Sequence, residues 1–269
     1  MAIAKHICSQ LNDPICKTLK VEPSVYSSFD TKIFDLTIYS PYSLALLAIS
    51  VLCTYRMISH VDSLYSSIGR GEMKTTFTLY IIANTLLFIG LGFEKIFKGP
   101  YLDFINVLRS SFMSTTFFSL FAGGLTIDKI YGIMGMKSVN FMITLVSIYF
   151  TMIVIFVYVF VAVGIQELIT VLTFIDIASI FMYIIVQIAK AKKKREDIWG
   201  IGTLGVTFLF FGMGVAHTFT AAPLVAAFSE RNLDNLFFVI LYNFLVVMMS
   251  HKYWLSTYDF EQECLALII

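Results

Sequence analysis

The sequence predicts an all-α, polytopic membrane protein with seven transmembrane helices, its N-terminus in the lumen and its C-terminus in the cytosol. Three observations lead there. The 269 residues are 58% hydrophobic and only 14% charged, too little charge to cover a soluble domain of this size. Mean hydropathy is +0.82, and the apolar residues collect in runs near the ~20 residues that a bilayer core requires. The lysines and arginines between the runs are divided unequally, which sets orientation.

The first run, 38–57, holds Pro41 in its first turn, where a missing N–H does little harm. The second, 75–93, follows an island of glycine and charge, YSSIGRGEMK, from Tyr65 to Lys74. The third, 104–125, carries Arg109, and the fourth, 139–163, carries no charge. The fifth, 168–189, carries Asp176 and is separated from the fourth by Gly164 to Glu167 alone. A link that short makes the two antiparallel neighbours. The sixth, 198–218, contains Gly200, Gly202, Gly205, Gly212 and Gly214. Small residues allow close backbone approach, so this helix is expected at the centre. Its apolar character runs on to Phe228, with Pro223 expected to interrupt it. The seventh run is 235–252, giving a lumenal segment 1–37, a membrane domain 38–252 and a cytosolic tail 253–269.

With the N-terminus outside, eleven basic residues fall on the cytosolic side, Lys190 to Arg195 prominent among them, against seven opposite. That places Gly69-Arg70-Gly71-Glu72 in a cytosolic loop. No strand precedes it and the lysine and hydroxyl of a phosphate-binding loop are missing. A turn is the better reading, since glycine tolerates positive φ.

Groups that carry chemistry are few. Asp176 sits mid-helix, where a charge is expensive and should face the bundle interior. Arg109 is its natural partner, because both lie at similar depth below the lumenal face. The pair reads either as a packing device or as part of an ion or substrate path. His6, His60, His217 and His251 do not converge as zinc ligands must, and no nucleophile elbow is present. No catalytic residue, metal or cofactor is expected, and a net charge of +1 argues for no nucleic-acid partner. Cys8 and Cys16 share the oxidising side and are either disulfide-bonded or two free thiols. Two other functional readings stay open. One is a small-solute or lipid transporter using Asp176 and Arg109. The other is a seven-helix receptor, against which stands the lack of a retinal lysine within the last helix.

Three segments resemble one family, the fungal chitin synthase export chaperones. They are HICSQLNDPIC (His6 to Cys16), IGRGE (Ile68 to Glu72) and NLDNLFFVILYNFLVVMMSHKYWLSTYDFE (Asn232 to Glu261). In the last, Leu233, Asp234, Phe237, Lys252, Trp254, Thr257, Asp259 and Glu261 match. Asn235 stands where the family usually has glycine. The resemblance implies a non-catalytic, seven-span chaperone of the endoplasmic reticulum membrane. Such a protein binds a chitin synthase, helps it fold and permits its export to the cell surface, with accompaniment to the plasma membrane an open alternative. Membrane lipids and export coat components are further implied partners. Candidate interaction residues are Gly69, Arg70, Glu72, Asp234, Lys252, Trp254, Thr257, Asp259 and Glu261.

Overall fold

The computed structural model describes residues 2–11, 13–19, 21, 31–33, 36–38, 40–64, 69–93, 99–129, 138–194, 198–220, 225, 227 and 233–257. The chain is helical. Two short helices, α1 (Ala2–Gln10) and α2 (Pro14–Thr18), come first. The long helices are α3 (Pro41–Ser63), α4 (Arg70–Gly92), α5 (Pro100–Lys129), α6 (Ser138–Val163), α7 (Leu168–Lys194), α8 (Ile198–Phe219) and α9 (Asn235–Ser256). Between α2 and α3, β1 (Thr31–Ile33) and β2 (Leu36–Ile38) pair antiparallel, with Lys32 opposite Thr37. This small hairpin is an addition to a helical architecture, which is the class expected.

Among the described residues six helices, α3, α4, α6, α7, α8 and α9, are long and apolar enough to cross a membrane. The longest, α5 at 30 residues, falls short in hydropathy. The reason is its middle, RSSFMSTTFFS from Arg109 to Ser119. Those hydroxyls are not idle. Ser111 donates to the Val107 carbonyl at 2.8 Å, Thr115 to Ser111 at 2.7 Å and Thr116 to Phe112 at 2.8 Å. Serine and threonine within a helix bond backwards in this way. Ser119 also reaches α4, donating to Thr76 Oγ1 at 2.9 Å.

The polar helix is the central one. α5 packs on α4, α6 and α7, and α2 lies against it. Helix α6, whose apolar stretch has a mean hydropathy of 2.6, lies against α5 and turns Ile148, Met152, Ile155 and Tyr158 outward. Lipid tails are as apolar as leucine, so an apolar helix gains little by leaving them. A helix lined with hydroxyls gains hydrogen bonds by being surrounded.

That reasoning corrects the expectation for the glycine-rich helix. In α8, Gly202, Gly205 and Gly212 face outward with open space beyond them. Gly214, by contrast, serves a close contact to Tyr242 of α9. The break expected at Pro223 lies outside the described residues.

Candidate functional site

The N-terminal segment closes one end of the bundle. Ala4, Ile7, Cys8, Ile15, Cys16 and Leu19 are buried against Val107 of α5, Ile153 and Val157 of α6, and Leu168 and Leu172 of α7. The starts of α5 and α7 and the second half of α6 therefore gather at this capped end. Cys8 and Cys16 form a disulfide, their Cα atoms 5.7 Å apart, and it joins α1 to α2.

Polar ties fasten the cap. Asp13 caps α2, accepting from the Ile15 N–H at 3.0 Å, with Pro14 at the first helical position, where proline is favoured. Arg109 of α5 forms its ion pair with this Asp13, not with Asp176. The expected intramembrane pair is thus corrected. The physical reason is that the chain's own N-terminal segment folds down onto the bundle and offers a carboxylate at Arg109's depth. From α5, Asn106 Nδ2 donates to the Pro14 carbonyl at 3.3 Å and to Thr18 Oγ1 at 2.9 Å. From α9, Asn235 Nδ2 donates to the Gln10 carbonyl at 3.3 Å and to the His217 carbonyl.

Asp234 belongs to this end. It is 2% exposed and caps α9, accepting from the Phe237 N–H at 2.9 Å. Its other donors come from the start of α3: Ser43 Oγ at 2.8 Å and Ser40 Oγ. The carboxylate therefore staples α9 to α3. As a direct contact for another protein it is corrected, because its oxygens face the protein's own donors.

At the far end, Gly69 takes a left-handed φ of 82°, and Arg70, Gly71 and Glu72 form the first turn of α4. Of the island's described residues, Gly69 is a turn and Arg70 to Lys74 are helix. A Cβ on Gly71 would lie 2.6 Å from Val139 Cγ2, so the glycine lets α4 and α6 start side by side. Glu72 is buried and Arg70 half-buried. The last turn of α9 meets this region. Trp254 packs in one cluster with Val61 of α3 and Met73 and Phe77 of α4. His251 stacks on Trp254 with ring centroids 6.1 Å apart and meets His60 and Phe77 edge-on. Lys252 is exposed on the opposite face, and Thr257 ends the helix with its hydroxyl on the Trp254 carbonyl at 2.9 Å. Asp259 and Glu261 lie outside the described residues.

Two segments far apart in sequence, the start of α4 and the end of α9, thus share one end of the bundle. A family model described as chitin synthase export chaperone matches residues 3–264. The chain belongs to the chitin synthase export chaperone family.

Among its relatives, a chitin synthase export chaperone of Chaetomium globosum is 27% identical over 260 residues, covering 92% of this chain and 77% of the relative. One of Neurospora crassa is 24% identical, covering 92% and 74%, and one of Aspergillus fumigatus 25%, covering 92% and 77%. No solved structure matches the chain. The export chaperone family is one of chaperones rather than enzymes, and among the described residues no cluster of histidine, cysteine and carboxylate groups fits a metal ion.

Sequence reasoning passed over Asp13, Asn106, Ser40 and Ser43. One signal was present: Asp13-Pro14 is a helix start, a capping side chain followed by proline. Asn106, Ser40 and Ser43 carry no such mark, since their partners lie far away along the chain.

Proposed function

We propose that this chain is a non-catalytic membrane chaperone that helps a chitin synthase fold and leave the endoplasmic reticulum for the cell surface. The family match over residues 3–264 carries this reading. In it, helices α3 to α9 all cross the bilayer, α5 included, shielded from lipid by α4, α6 and α7. An odd number of crossings would put the two termini on opposite sides, and the disulfide supports assigning the cap to the lumen, where disulfides persist, and the far end to the cytosol. Arg56, Arg70, Lys74 and Lys252 then lie on the cytosolic side, as the positive-inside rule asks.

The cytosolic end is the surface offered to the client or to the export coat. Arg70, Lys252 and Thr257, with Asp259 and Glu261 beyond them, supply its polar groups. Gly69, Glu72 and Trp254 build that surface from within. Asp234 acts at a distance by setting where α9 starts. Lipid covers the outward apolar faces of α6, α7 and α8. The transport reading lacks the pair on which it was built, because Arg109 is taken by Asp13.

The test is delivery. In cells lacking this chain, a tagged chitin synthase is expected to stay in the endoplasmic reticulum and to return to the surface when the wild-type gene is restored. A double variant, Arg70→Glu with Lys252→Glu, is expected to remain in the membrane yet restore delivery poorly. Normal delivery of every synthase in the deletion strain would falsify the reading.

A further inference from the structure

A cavity of about 120 Å³ lies beneath the cap, roofed by Leu11, Asp13 and Ile15 and walled by α5, α7, α8 and α9. That is room for several waters or one small organic group, since a water's share of liquid volume is roughly 30 Å³. Asp176 of α7 lines it, and its Oδ1 is cut off from solvent with no hydrogen-bond partner among the described residues. A carboxylate oxygen so placed calls for a donor or a cation. Within the protein the Asp176 carboxyl has the Ser114 hydroxyl beside it and, more weakly, the charge of Arg109, which also lines the cavity but is held at the roof by Asp13. Asp13, Arg109 and Asp176 together leave one formal negative charge uncompensated when all are ionised.

The neutral groups point the same way. Three hydroxyls on the wall have their protons committed to helix carbonyls: Ser110 to Asn106 at 2.9 Å, Thr173 to Ile169 at 2.8 Å and Thr218 to Gly214 at 3.0 Å. What these oxygens can still offer the cavity is lone pairs. The hydroxyl of Ser114, next along α5, lies between the Asp176 carboxyl and the Tyr149 hydroxyl, 3.1 Å from the latter. Two aromatic rings complete the wall, Phe117 and Phe211, edge to face with centroids 5.8 Å apart. Aromatic faces attract cations, most strongly away from water. Asn243 of α9 also lines the cavity and brings an amide that both donates and accepts. With the hydroxyl oxygens, the two rings and the carboxylate, the pocket suits a small group that carries several N–H donors and a positive charge.

We propose that this cavity is a binding site for a primary ammonium group, with Asp176 as its counter-ion and the Ser110, Thr173 and Thr218 oxygens as further acceptors. The group belongs either to a free small amine or to the headgroup of an aminophospholipid. The site stands whether or not the chain serves a chitin synthase.

The test uses the full chain in mild detergent, with thermal unfolding followed during titration with ethylammonium chloride. The midpoint is expected to rise and saturate. Sodium chloride at equal ionic strength and tetramethylammonium, which has no N–H, are expected not to reproduce the rise. Asp176→Asn is expected to abolish the saturable rise. Thr173→Val, a near-isosteric change outside the charged cluster, is expected to weaken apparent affinity about fivefold, as the loss of one hydrogen bond does. Absence of a saturable rise in the wild-type chain, or one undiminished in both variants, overturns the site. Reconstitution then separates the sources. If nanodiscs containing phosphatidylethanolamine remove the response to ethylammonium and phosphatidylcholine nanodiscs keep it, the occupant is the lipid headgroup; if both keep it, the occupant is a free amine.

Discussion

Asp234 and Trp254 sit at opposite ends of the same helix, α9, and hold it by different means. Asp234 collects donors from Ser40, Ser43 and its own helix start. Trp254 makes a ring-on-ring and ring-on-aliphatic fit with His251, Val61, Met73 and Phe77. The capped end adds the Cys8–Cys16 disulfide and the Asp13–Arg109 pair. The far end adds an exposed Lys74–Asp62 pair at 2.8 Å. Directional bonds demand one geometry, whereas ring packing tolerates small shifts. The capped end is therefore the specified end, and the far end is the adaptable one, which suits a surface that must accept another protein.

Substitutions at the two ends test that contrast. Asp234→Ala is expected to do most harm, losing about 3 kcal/mol as a helix cap goes and buried donors are orphaned. Thermal unfolding in detergent measures it, and Asp234→Asn should lose less because an acceptor oxygen remains. Equal loss in both variants would mean that the staple is not what holds this end.

Removing the disulfide, Cys8→Ser with Cys16→Ser, comes next at about 2.5 kcal/mol for so short a ring. Amide exchange is expected to quicken within residues 2–19 and to stay unchanged in the last turn of α9. Quickening at both would show that the ends are coupled rather than separate.

Trp254→Ala is expected to lose about 1.5 kcal/mol, less than in a water-soluble core, since lipid fills in for part of the lost dispersion contact. Its exchange signature should appear around His60 and Phe77 and leave the cap protected. Lys74→Ala is the smallest, under about 0.5 kcal/mol, because both partners are open to solvent, with side-chain exposures of 48% and 40%. A larger loss there would make the far end more like the capped one.

Much of the helical frame was legible in the chain. Each of the seven apolar runs overlaps a long helix, since length and hydropathy are local properties, although the first, 38–57, begins at the end of β2 and enters α3 only at Pro41. The uncharged run at 139–163 coincides closely with α6 (Ser138–Val163). Position within the bundle was not legible. Five glycines pointed to α8 as the centre, but three of them face outward. The better signal was the hydroxyl content of α5, because polar side chains in lipid need neighbours. The cap was half legible. Apolar residues at Ala4, Ile7, Cys8, Leu11, Ile15 and Leu19 recur at helical spacing, yet nothing local says which bundle face they cover. Arg109 was named as the partner of Asp176, and sequence distance gave no sign that Asp13 would take it instead.

The hydroxyl-rich middle of α5 bears on how the protein is made. A nascent segment leaves the translocon for lipid readily when it is apolar, and α5, with Arg109 among serines and threonines, is less apolar than the six helices fit to cross a membrane. Its shelter consists of α4, synthesised before it, and α6 and α7, synthesised after it. If α5 crosses the bilayer as proposed, its retention there waits on two helices not yet made, and Arg109 stays uncovered until the N-terminal segment brings Asp13 to it. A protein assigned to help another membrane protein assemble has, in its own central helix, a folding step that must be completed in order.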